Sequence, residues 1–390
     1  MKASYNISVF VTNSPTEYSG GRYASLMLAE ALAMGGHRVR YATNNKPVFY
    51  DDFRAFPHHK DLKLSLTDNF LSNLPAGTCH IAVVVPGMDK TPEFYDNVLY
   101  YTRLRRTRVV LLNFEDPLWF NALAPEPRDV ALWDNWVTVS KHASLILSIS
   151  REGSTHAKKF YTACPENAVF DFVYPAINHF AADAVQDVAK ERRIVLLTRF
   201  SNAPHKGGPA VPNLISEAMR GYVLVLVVGS GKAPPDVLRA IDAKAKQHGV
   251  QVEVKFKLSD EEKFREIKRA SLLLFPSFFE GFGYPPVEAQ YCNVPSIAFD
   301  LPVLREHSDK GVYYVPRGDW AAFTAKIGEV LAEKDPLSRL RDNILHVASI
   351  ENMSTRLDNL MELIMRRPLP AYASRAGSRR GLRRLFARRA

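Results

Sequence analysis

Short apolar runs alternate with longer segments of helical pattern along the chain. The runs are rich in Val, Ile and Leu and lack polar alternation, which is typical of parallel strands covered on both faces. The predicted strands are residues 7–11, 39–42, 81–85, 109–112, 136–139, 194–197, 223–228, 252–256, 272–275 and 296–299, and the predicted helices include 22–34, 234–248 and 260–270. This alternation predicts an α/β architecture built on parallel sheets.

The predicted strands fall into two sets, which are separated by a polar, alanine-rich stretch. The chain has 390 residues, and at about 100–200 residues per domain this length suggests two domains. We expect a first Rossmann-like domain over 1–178, a linker over 179–192, a second Rossmann-like domain over 193–345, a helix over 346–365 that crosses back to the first domain, and a basic tail over 366–390. Two doubly wound domains leave a cleft at the carboxyl ends of their strands, where ligands bind.

Composition excludes several classes of protein. Hydrophobic residues make up 46% of the chain, which is too many for a mostly disordered protein. The sequence has no apolar run of the roughly 18 residues that a membrane-spanning helix needs, and its start lacks the features of a signal peptide. Cys79, Cys164 and Cys292 are far apart and form no CxxC pair. We therefore expect no disulfide framework and no structural zinc site, and a cytoplasmic location.

The positive charge is concentrated in the tail. The formal net charge is +10, and residues 366–390 contain nine arginines and no acidic residue, so the rest of the chain is almost neutral. On a helical projection the tail has an apolar face and a basic face, formed by Leu382, Leu385 and Phe386 and by Arg380, Arg383 and Arg384, respectively. Such a segment is typical of peripheral binding to an anionic membrane. A disordered basic tail is the alternative, and nucleic-acid binding is disfavoured because no aromatic stacking platform accompanies the arginines.

Two glycines stand between the first predicted strand and the helix that follows it. Gly20 and Gly21 lie in the run Ser19-Gly20-Gly21-Arg22. Glycines at such a turn let the backbone approach a ligand closely, and a helix N-terminus offers N–H groups to an anion. A tight turn without a ligand is the alternative.

Two cations follow the first strand of the second domain. Arg199 and Lys206 would stand at its carboxyl edge, where they could neutralise a diphosphate, Arg by its planar fork and Lys as a point charge. A solvated loop is the alternative, and we expect no role for His205.

The richest segment, residues 276–289, follows the strand at 272–275. Glu280 would lie in the loop before a helix, and Glu288 about one turn inside that helix. Both carboxylates could face a polyol or a nucleotide sugar, and the backbone of 281–284 could donate N–H groups to a phosphate. Alternatively, Glu288 is favoured only by the helix dipole and Glu280 is solvated.

Taken in order, these segments resemble the retaining GT-B enzymes of glycosyltransferase family 4. Glu280 and Glu288 match the E-x7-E motif of that family, and the run 289–296 matches its continuation. The Gly20-Gly21 segment is similar to the N-terminal glycine motif, and Arg199 with Lys206-Gly207 is similar to the phosphate-binding motif. The resemblance covers roughly residues 7–365.

The resemblance implies a GT-B fold and transfer of a hexose-type sugar from a nucleoside-diphosphate sugar, a UDP or GDP sugar, to a glycan or lipid-linked acceptor in cell-surface polysaccharide or glycolipid assembly. It implies that Glu280 holds sugar hydroxyls, that Glu288 holds the ribose, and that Arg199 and Lys206 bind the diphosphate without a metal or other cofactor. The remaining donor-binding residues that it implies are Gly20, Gly21, Gly281, Phe282, Gly283 and Tyr284. The enzyme would be cytoplasmic or peripheral on the inner face of the cell membrane.

The sequence departs from the family at several positions. Thr198 replaces a glycine, Pro286 is an additional proline, and Asn178 stands where the hinge often has Asp. In place of the usual acceptor-side histidine, Glu115 or Asp116 follows the strand at 109–112. A nucleotide-sugar epimerase of the same fold and a non-catalytic nucleotide-sugar-binding protein are the alternatives. The E-x7-E spacing favours transfer over epimerisation.

Overall fold

The computed structural model describes residues 3–66, 78–88, 92–200, 203–229, 232–333 and 340–370. The strands are β1 (Asn6–Val11), β2 (Arg38–Thr43), β3 (Lys63–Leu66), β4 (Ile81–Val85), β5 (Arg108–Asn113), β6 (Ala143–Ser148), β7 (Val169–Phe172), β8 (Arg193–Thr198), β9 (Val223–Val228), β10 (Gln251–Phe256), β11 (Leu272–Phe275), β12 (Ser296–Phe299) and β13 (Val312–Val315). The helices are α1 (Gly20–Met34), α2 (Glu93–Arg105), α3 (Pro117–Leu123), α4 (Asp134–Ser140), α5 (Arg151–Phe160), α6 (His179–Ala184), α7 (Pro235–His248), α8 (Asp260–Arg269), α9 (Tyr284–Tyr291), α10 (Pro302–Ser308), α11 (Trp320–Ala332), α12 (Leu340–Ala348) and α13 (Ile350–Arg366).

The strands form two parallel sheets. The first sheet has the order β3-β2-β1-β4-β5-β6-β7, and the second has the order β10-β9-β8-β11-β12-β13. In each sheet the strand order reverses beside its first strand, β1 or β8. In open α/β sheets, ligands bind at the carboxyl ends of the strands at such a reversal. The predicted pair of Rossmann-like domains is confirmed, and the Gly20-Gly21 and Arg199–Lys206 segments both leave strands at these points.

One predicted strand is wrong. Residues 136–139 lie in α4, and the strand of this region is β6, which begins at Ala143. Trp133, Trp136 and Val139 are buried, and their spacing of three residues puts them on one face of a helical turn. A run of four apolar residues does not distinguish such a turn from a strand. The other predicted strands are confirmed to within one or two residues.

The chain returns to the first domain at its described end. Helix α13 packs along α1, where Asp358 of α13 forms an ion pair with His37 at 3.0 Å. A Cβ atom on Gly35, which ends α1, would overlap the carboxylate of Asp358. The guanidinium of Arg108 on β5 donates to the carbonyls of residues 364, 365 and 367 at 2.7–2.9 Å. These contacts fix α13 on the first domain.

Candidate active site

The loop after β8 is folded so that Lys206 reaches the segment that follows β11. Residues Pro204–Lys206 form a 3-10 turn that ends at Gly207, whose φ is +72°. A Cβ atom on Gly207 would overlap the carbonyl oxygen of Pro276. Glycine therefore permits both the left-handed backbone and the close approach of the two loops.

Lys206 and Glu280 form an ion pair across these loops. The Nζ of Lys206 donates to Oε1 of Glu280 at 2.7 Å, and the side chains are 20% and 10% exposed. Burial lowers the pKa of Lys206, the negative charge of Glu280 opposes this, and the positive charge of Arg199 adds to it. An ammonium group has three donors. Lys206 can therefore hold Glu280 and bind an anion at the same time.

Glu115 reaches this pair from the first domain. It follows β5, and its Oε1 accepts a hydrogen bond from Nη1 of Arg128 at 3.2 Å. Arg128 in turn stacks on the ring of Phe120. Burial raises the pKa of Glu115 to about 7, although the positive charges of Arg128, Lys206 and Arg199 lower it. The carboxylate of Glu115, which follows β5, and the ammonium of Lys206, which follows β8, therefore belong to one partly buried cluster.

The neighbouring Asp116 has a different environment. Its Oδ1 accepts the backbone N–H groups of Leu118 and Trp119 at 3.0 Å, so it caps the N-terminus of α3. Burial raises the pKa of Asp116 above its ordinary value, although these backbone donors lower it. Of the two acidic residues after β5, Glu115 is the one beside Lys206, and Asp116 holds a helix end.

The glycine-rich loop before α9 packs against the end of β5. A Cβ atom on Gly281 would overlap the carbonyl oxygen of Phe114, and one on Gly21 would come within 3.1 Å of the Phe114 ring. Gly20, by contrast, has no atom within 4 Å of such a Cβ. Gly283 has a φ of +94°. Packing therefore accounts for Gly21, Gly281 and Gly283, while the space beside Gly20 is open.

Phe282 and Tyr284, which flank Gly283, differ in their surroundings. The ring of Phe282 is buried against His307 and Tyr284. Tyr284 begins α9, and its ring packs on Tyr23 of the first domain at 5.5 Å. Its hydroxyl is buried and has no hydrogen-bond partner among the residues that the structure describes. The Tyr284 hydroxyl is thus a polar group beside this loop that a ligand could engage.

Glu288 lies in a second charged cluster. Its Oε1 accepts a hydrogen bond from Nζ of Lys263 at 2.7 Å, and the same ammonium donates to Asp260. Tyr18, in the loop between β1 and α1, packs on Tyr23 with ring centroids 5.7 Å apart, and burial raises its pKa. Glu280 and Glu288 are thus held by different lysines, Lys206 and Lys263, in two clusters.

No pattern in the sequence marks Lys263, Arg128 or Tyr18 as a residue of the site. Lys263 stands three residues after Asp260 on α8, a spacing that looks like an ordinary pair on a helix surface. Its second partner, Glu288, is 25 residues further along the chain. Arg128 and Tyr18 lie in irregular loops, where no periodic pattern marks them.

The domains are packed closely around these groups. Phe279 of the second domain packs on Trp119 and Phe120 of the first, with ring centroids 4.9 Å apart in both pairs. A surface pocket of about 420 Å³ lies elsewhere, between the linker and α8, and none of the charged residues above lines it. The described pocket is therefore separate from the charged residues, which lie where aromatic side chains of the two domains pack on one another. Across the described ranges, no group of three or more His, Cys, Asp or Glu side chains is placed to hold a metal ion.

The second half of the chain is similar in sequence to known glycosyltransferases. Residues 210–346 match the family described as Glycosyl transferases group 1. This stretch contains Glu280 and Glu288 but begins after Arg199 and Lys206. The O-antigen chain mannosyltransferase RfbU of Salmonella typhimurium is 27% identical over 225 residues, which cover 56% of this chain and 60% of the relative. The chain spans less than two thirds of the length of the curated relatives that it matches.

Solved structures resemble the chain over nearly its whole length. A sucrose-phosphate synthase from Thermosynechococcus elongatus superimposes with a TM-score of 0.70 at 16% identity, covering 92% of this chain and 99% of the other. The Anabaena protein HepE, solved in complex with UDP and glucose, superimposes with a TM-score of 0.68 at 14% identity, covering 92% and 100%. These likenesses confirm the predicted GT-B fold.

Proposed function

We propose that the chain is a retaining glycosyltransferase that moves a hexose-type sugar from a UDP or GDP sugar to a glycan or lipid-linked acceptor. The observation that carries this proposal is the Lys206–Glu280 ion pair, with Arg199 and Glu115 beside it, at the carboxyl ends of strands from both domains. Cations and carboxylates in this arrangement can bind a diphosphate and a polyol side by side.

The chemistry follows from where charge develops. As the glycosidic bond breaks, negative charge grows on the leaving phosphate, and Arg199 and Lys206 stabilise it. Preorganised charges in a partly dehydrated site are often the largest contribution to catalysis. Glu280 holds hydroxyls of the transferred sugar, and Glu115 lies on the acceptor side, where it accepts a hydrogen bond from an acceptor hydroxyl that does not react. The attacking acceptor oxygen forms its bond to the anomeric carbon on the face that the phosphate leaves, and the leaving phosphate takes the proton of that oxygen, so the anomeric configuration is retained and no metal ion is needed.

The relatives support the substrate class. The Salmonella relative is named as a mannosyltransferase of O-antigen chains, and HepE was solved with UDP and glucose. Both names fit a nucleotide-sugar donor. The O-antigen relative also fits an acceptor in cell-surface polysaccharide assembly.

The direct test is product formation from UDP and GDP sugars, followed by mass spectrometry and by NMR of the new anomeric centre. We expect a retained configuration, and we expect Lys206→Ala to lower kcat at least about tenfold because a charge on the leaving phosphate loses its partner. Circular dichroism checks that the variant is folded, and Lys246→Ala, on the exposed face of α7, is the matched control. Unchanged turnover in Lys206→Ala would remove Lys206 from the site, and the appearance of an epimerised sugar nucleotide without transfer would favour an epimerase.

We also propose that the protein acts in the cytoplasm, peripherally on the inner face of the membrane. The arginine-rich segment of the tail, with Leu382, Leu385 and Phe386, lies outside the described residues. The last described residues contact Arg108 at the start of β5, and Arg103, Arg105 and Arg106, at and just after the end of α2, are exposed. None of the described helices has the length and apolarity needed to cross a bilayer.

Deletion of residues 371–390 tests this location. We expect the truncated protein to lose binding to vesicles that contain anionic lipid, because each arginine near such a surface contributes about 1 kcal/mol. Hydrolysis of the donor should be unchanged, since the contacts of Arg108 with the end of α13 remain. Vesicle binding that survives the deletion would contradict the role of the tail.

A further inference from the structure

Lys263 lies between two carboxylates in the second charged cluster. Its Nζ is 2.7 Å from Oε1 of Glu288 and 2.7 Å from Oδ1 of Asp260, and the three side chains are 11%, 3% and 6% exposed. The capping box formed by Ser259 and Glu262 fixes the first turn of α8, so Asp260 and Lys263 share the helix face that meets α9. The bridge is therefore built into the two helices.

The second oxygen of Asp260 is held by residues outside the second domain. The hydroxyl of Tyr23, on α1, donates to Oδ2 of Asp260 at 2.5 Å. The side-chain amide of Asn178, immediately before the linker, donates to the same oxygen at 2.9 Å and to the carbonyl of Asp52 at 2.8 Å. Asp260 thus connects Lys263 to two residues of the first domain, Tyr23 and Asn178.

The charge of Lys263 acts on Glu288. Burial raises the pKa of Glu288, and the ammonium of Lys263 lowers it. Burial alone would lower the pKa of Lys263, but Asp260 and Glu288 more than offset this, so that the pKa is raised and the side chain stays charged. A carboxylate has about four acceptor positions. Glu288 can therefore bind Lys263 and still accept hydrogen bonds from a ligand.

We propose that Lys263 is a positioning residue for the donor: it holds the carboxylate of Glu288 in the orientation that faces the ribose hydroxyls of the nucleotide. This inference rests on the proposed function, which assigns Glu288 to the ribose. It extends that function, because the bridge through Asp260 to Tyr23 and Asn178 makes ribose recognition depend on contacts from both domains.

The test measures recognition of the ribose separately from binding of the diphosphate. Calorimetry with UDP, GDP and ADP identifies the nucleotide that the wild-type protein binds most tightly, and its 2′,3′-dideoxy analogue serves as the second probe. We expect the wild type to prefer the ribonucleotide by about tenfold or more, the strength of hydrogen bonds to a charged group. Lys263→Met should lose most of this preference while binding the dideoxy analogue as the wild type does, within about twofold.

Two further variants separate positioning from folding. Lys263→Met leaves two carboxylates without their cation, so the double variant Lys263→Met with Asp260→Asn removes one negative charge as well; it should fold and still lack the ribose preference. Lys255→Met is the matched control, because Lys255 also bridges two carboxylates, Glu253 and Glu266, but away from the site. It should keep the preference.

Each outcome bears on a different claim. A folded Lys263 variant that keeps the full ribose preference overturns the positioning role. An equal loss of affinity for both probes also overturns it, since it would show a general structural effect. A wild-type protein that binds none of the three nucleotides overturns the proposed function, and this inference with it. If the wild-type protein transfers sugar but binds the ribonucleotide and its dideoxy analogue equally tightly, the inference is overturned and the proposed function is not.

Discussion

Each glutamate of the site forms an ion pair with a basic side chain. Glu280 is held by Lys206, Glu288 by Lys263 and Glu115 by Arg128. Burial raises the pKa of Glu288 and Glu115, and the neighbouring cations counteract it. Removing one partner of such a pair leaves a charge in a poorly solvated place, which costs more than the pair itself contributes. Substitutions in the site are therefore best made with neutral residues of the same shape.

Glu115→Gln is such a substitution, and it should change the pH dependence of the reaction. Because the pKa of Glu115 is raised to about 7, its carboxylate form is lost as the pH falls through about 7, and wild-type kcat should fall with it on the acidic side. We expect Glu115→Gln to reduce kcat about tenfold, the strength of a hydrogen bond to a charged group, and to remove this acidic limb. The nucleotide affinity should not change.

The measurement is a kcat profile from about pH 5.5 to 9, with Glu126→Gln, an exposed residue of the neighbouring loop, as the control. An identical acidic limb in the wild type and in Glu115→Gln would assign the titration to another group. This outcome would also weaken the assignment of Glu115 to the acceptor side.

The sequence identified the charged residues of the site better than their partners. Glu280, Glu288, Arg199 and Lys206 follow predicted strands, and the resemblance to glycosyltransferase family 4 assigns them to one donor site, an assignment that stays a prediction. Which lysine meets which glutamate depends on how two loops and two helices pack, and Lys263 was missed for this reason. The space beside Gly20 and the capping role of Asp116 likewise depend on neighbours that are distant in sequence.

Among the elements, strands in the two sheets were predictable because their apolar runs are continuous. Four strands, β3, β6, β7 and β13, have no predicted counterpart, and of these β6 is a buried strand of six residues. Residues 136–139 were misassigned because a buried helical turn and a strand share the same apolar pattern over four residues. The edge strand β3 has half-exposed polar positions, so it carries no apolar run to detect. Short edge elements depend on the sheet that they join, and local pattern alone does not determine them.

The docking of α13 on α1 gives a prediction for an element. Because a Cβ atom on Gly35 would overlap the carboxylate of Asp358, Gly35→Ala should push α13 away and weaken the Asp358–His37 ion pair. Overpacking of a close contact typically costs about 1–3 kcal/mol. We expect the free energy of unfolding, measured in urea, to fall by about this amount.

Leu363→Ala is the control for this prediction, because Leu363 is on the more exposed side of α13. Its effect should be much smaller. Equal stability of Gly35→Ala and the wild type would mean that α13 adjusts its position without cost, and that the close approach of the two helices is incidental.

In the molecule as a whole, three buried or half-buried carboxyl groups lie where the domains meet. Burial raises the pKa of Asp52, Glu115 and Glu306 to about 7 in each case. Glu306 on α10 accepts the backbone N–H groups of Arg151 and Glu152, so a side chain of the second domain caps α5 of the first. These three groups regain water when the domains separate, and their pKa values then return toward the ordinary range near 4.

The packing of the domains should therefore depend on pH. Between about pH 4 and 7 the closed arrangement binds more protons than the separated one, so closure is favoured as the pH falls through about 7 and is weakest above it. We expect small-angle X-ray scattering to give a larger radius of gyration at about pH 8.5 than at about pH 6.

Glu306→Gln, which keeps an oxygen acceptor for α5 but cannot ionise, should reduce this difference, whereas Glu329→Gln on the exposed face of α11 should not. A radius of gyration that is independent of pH in the wild type would show that the contact between the domains does not open in solution, and nucleotide entry would then need a route other than their separation.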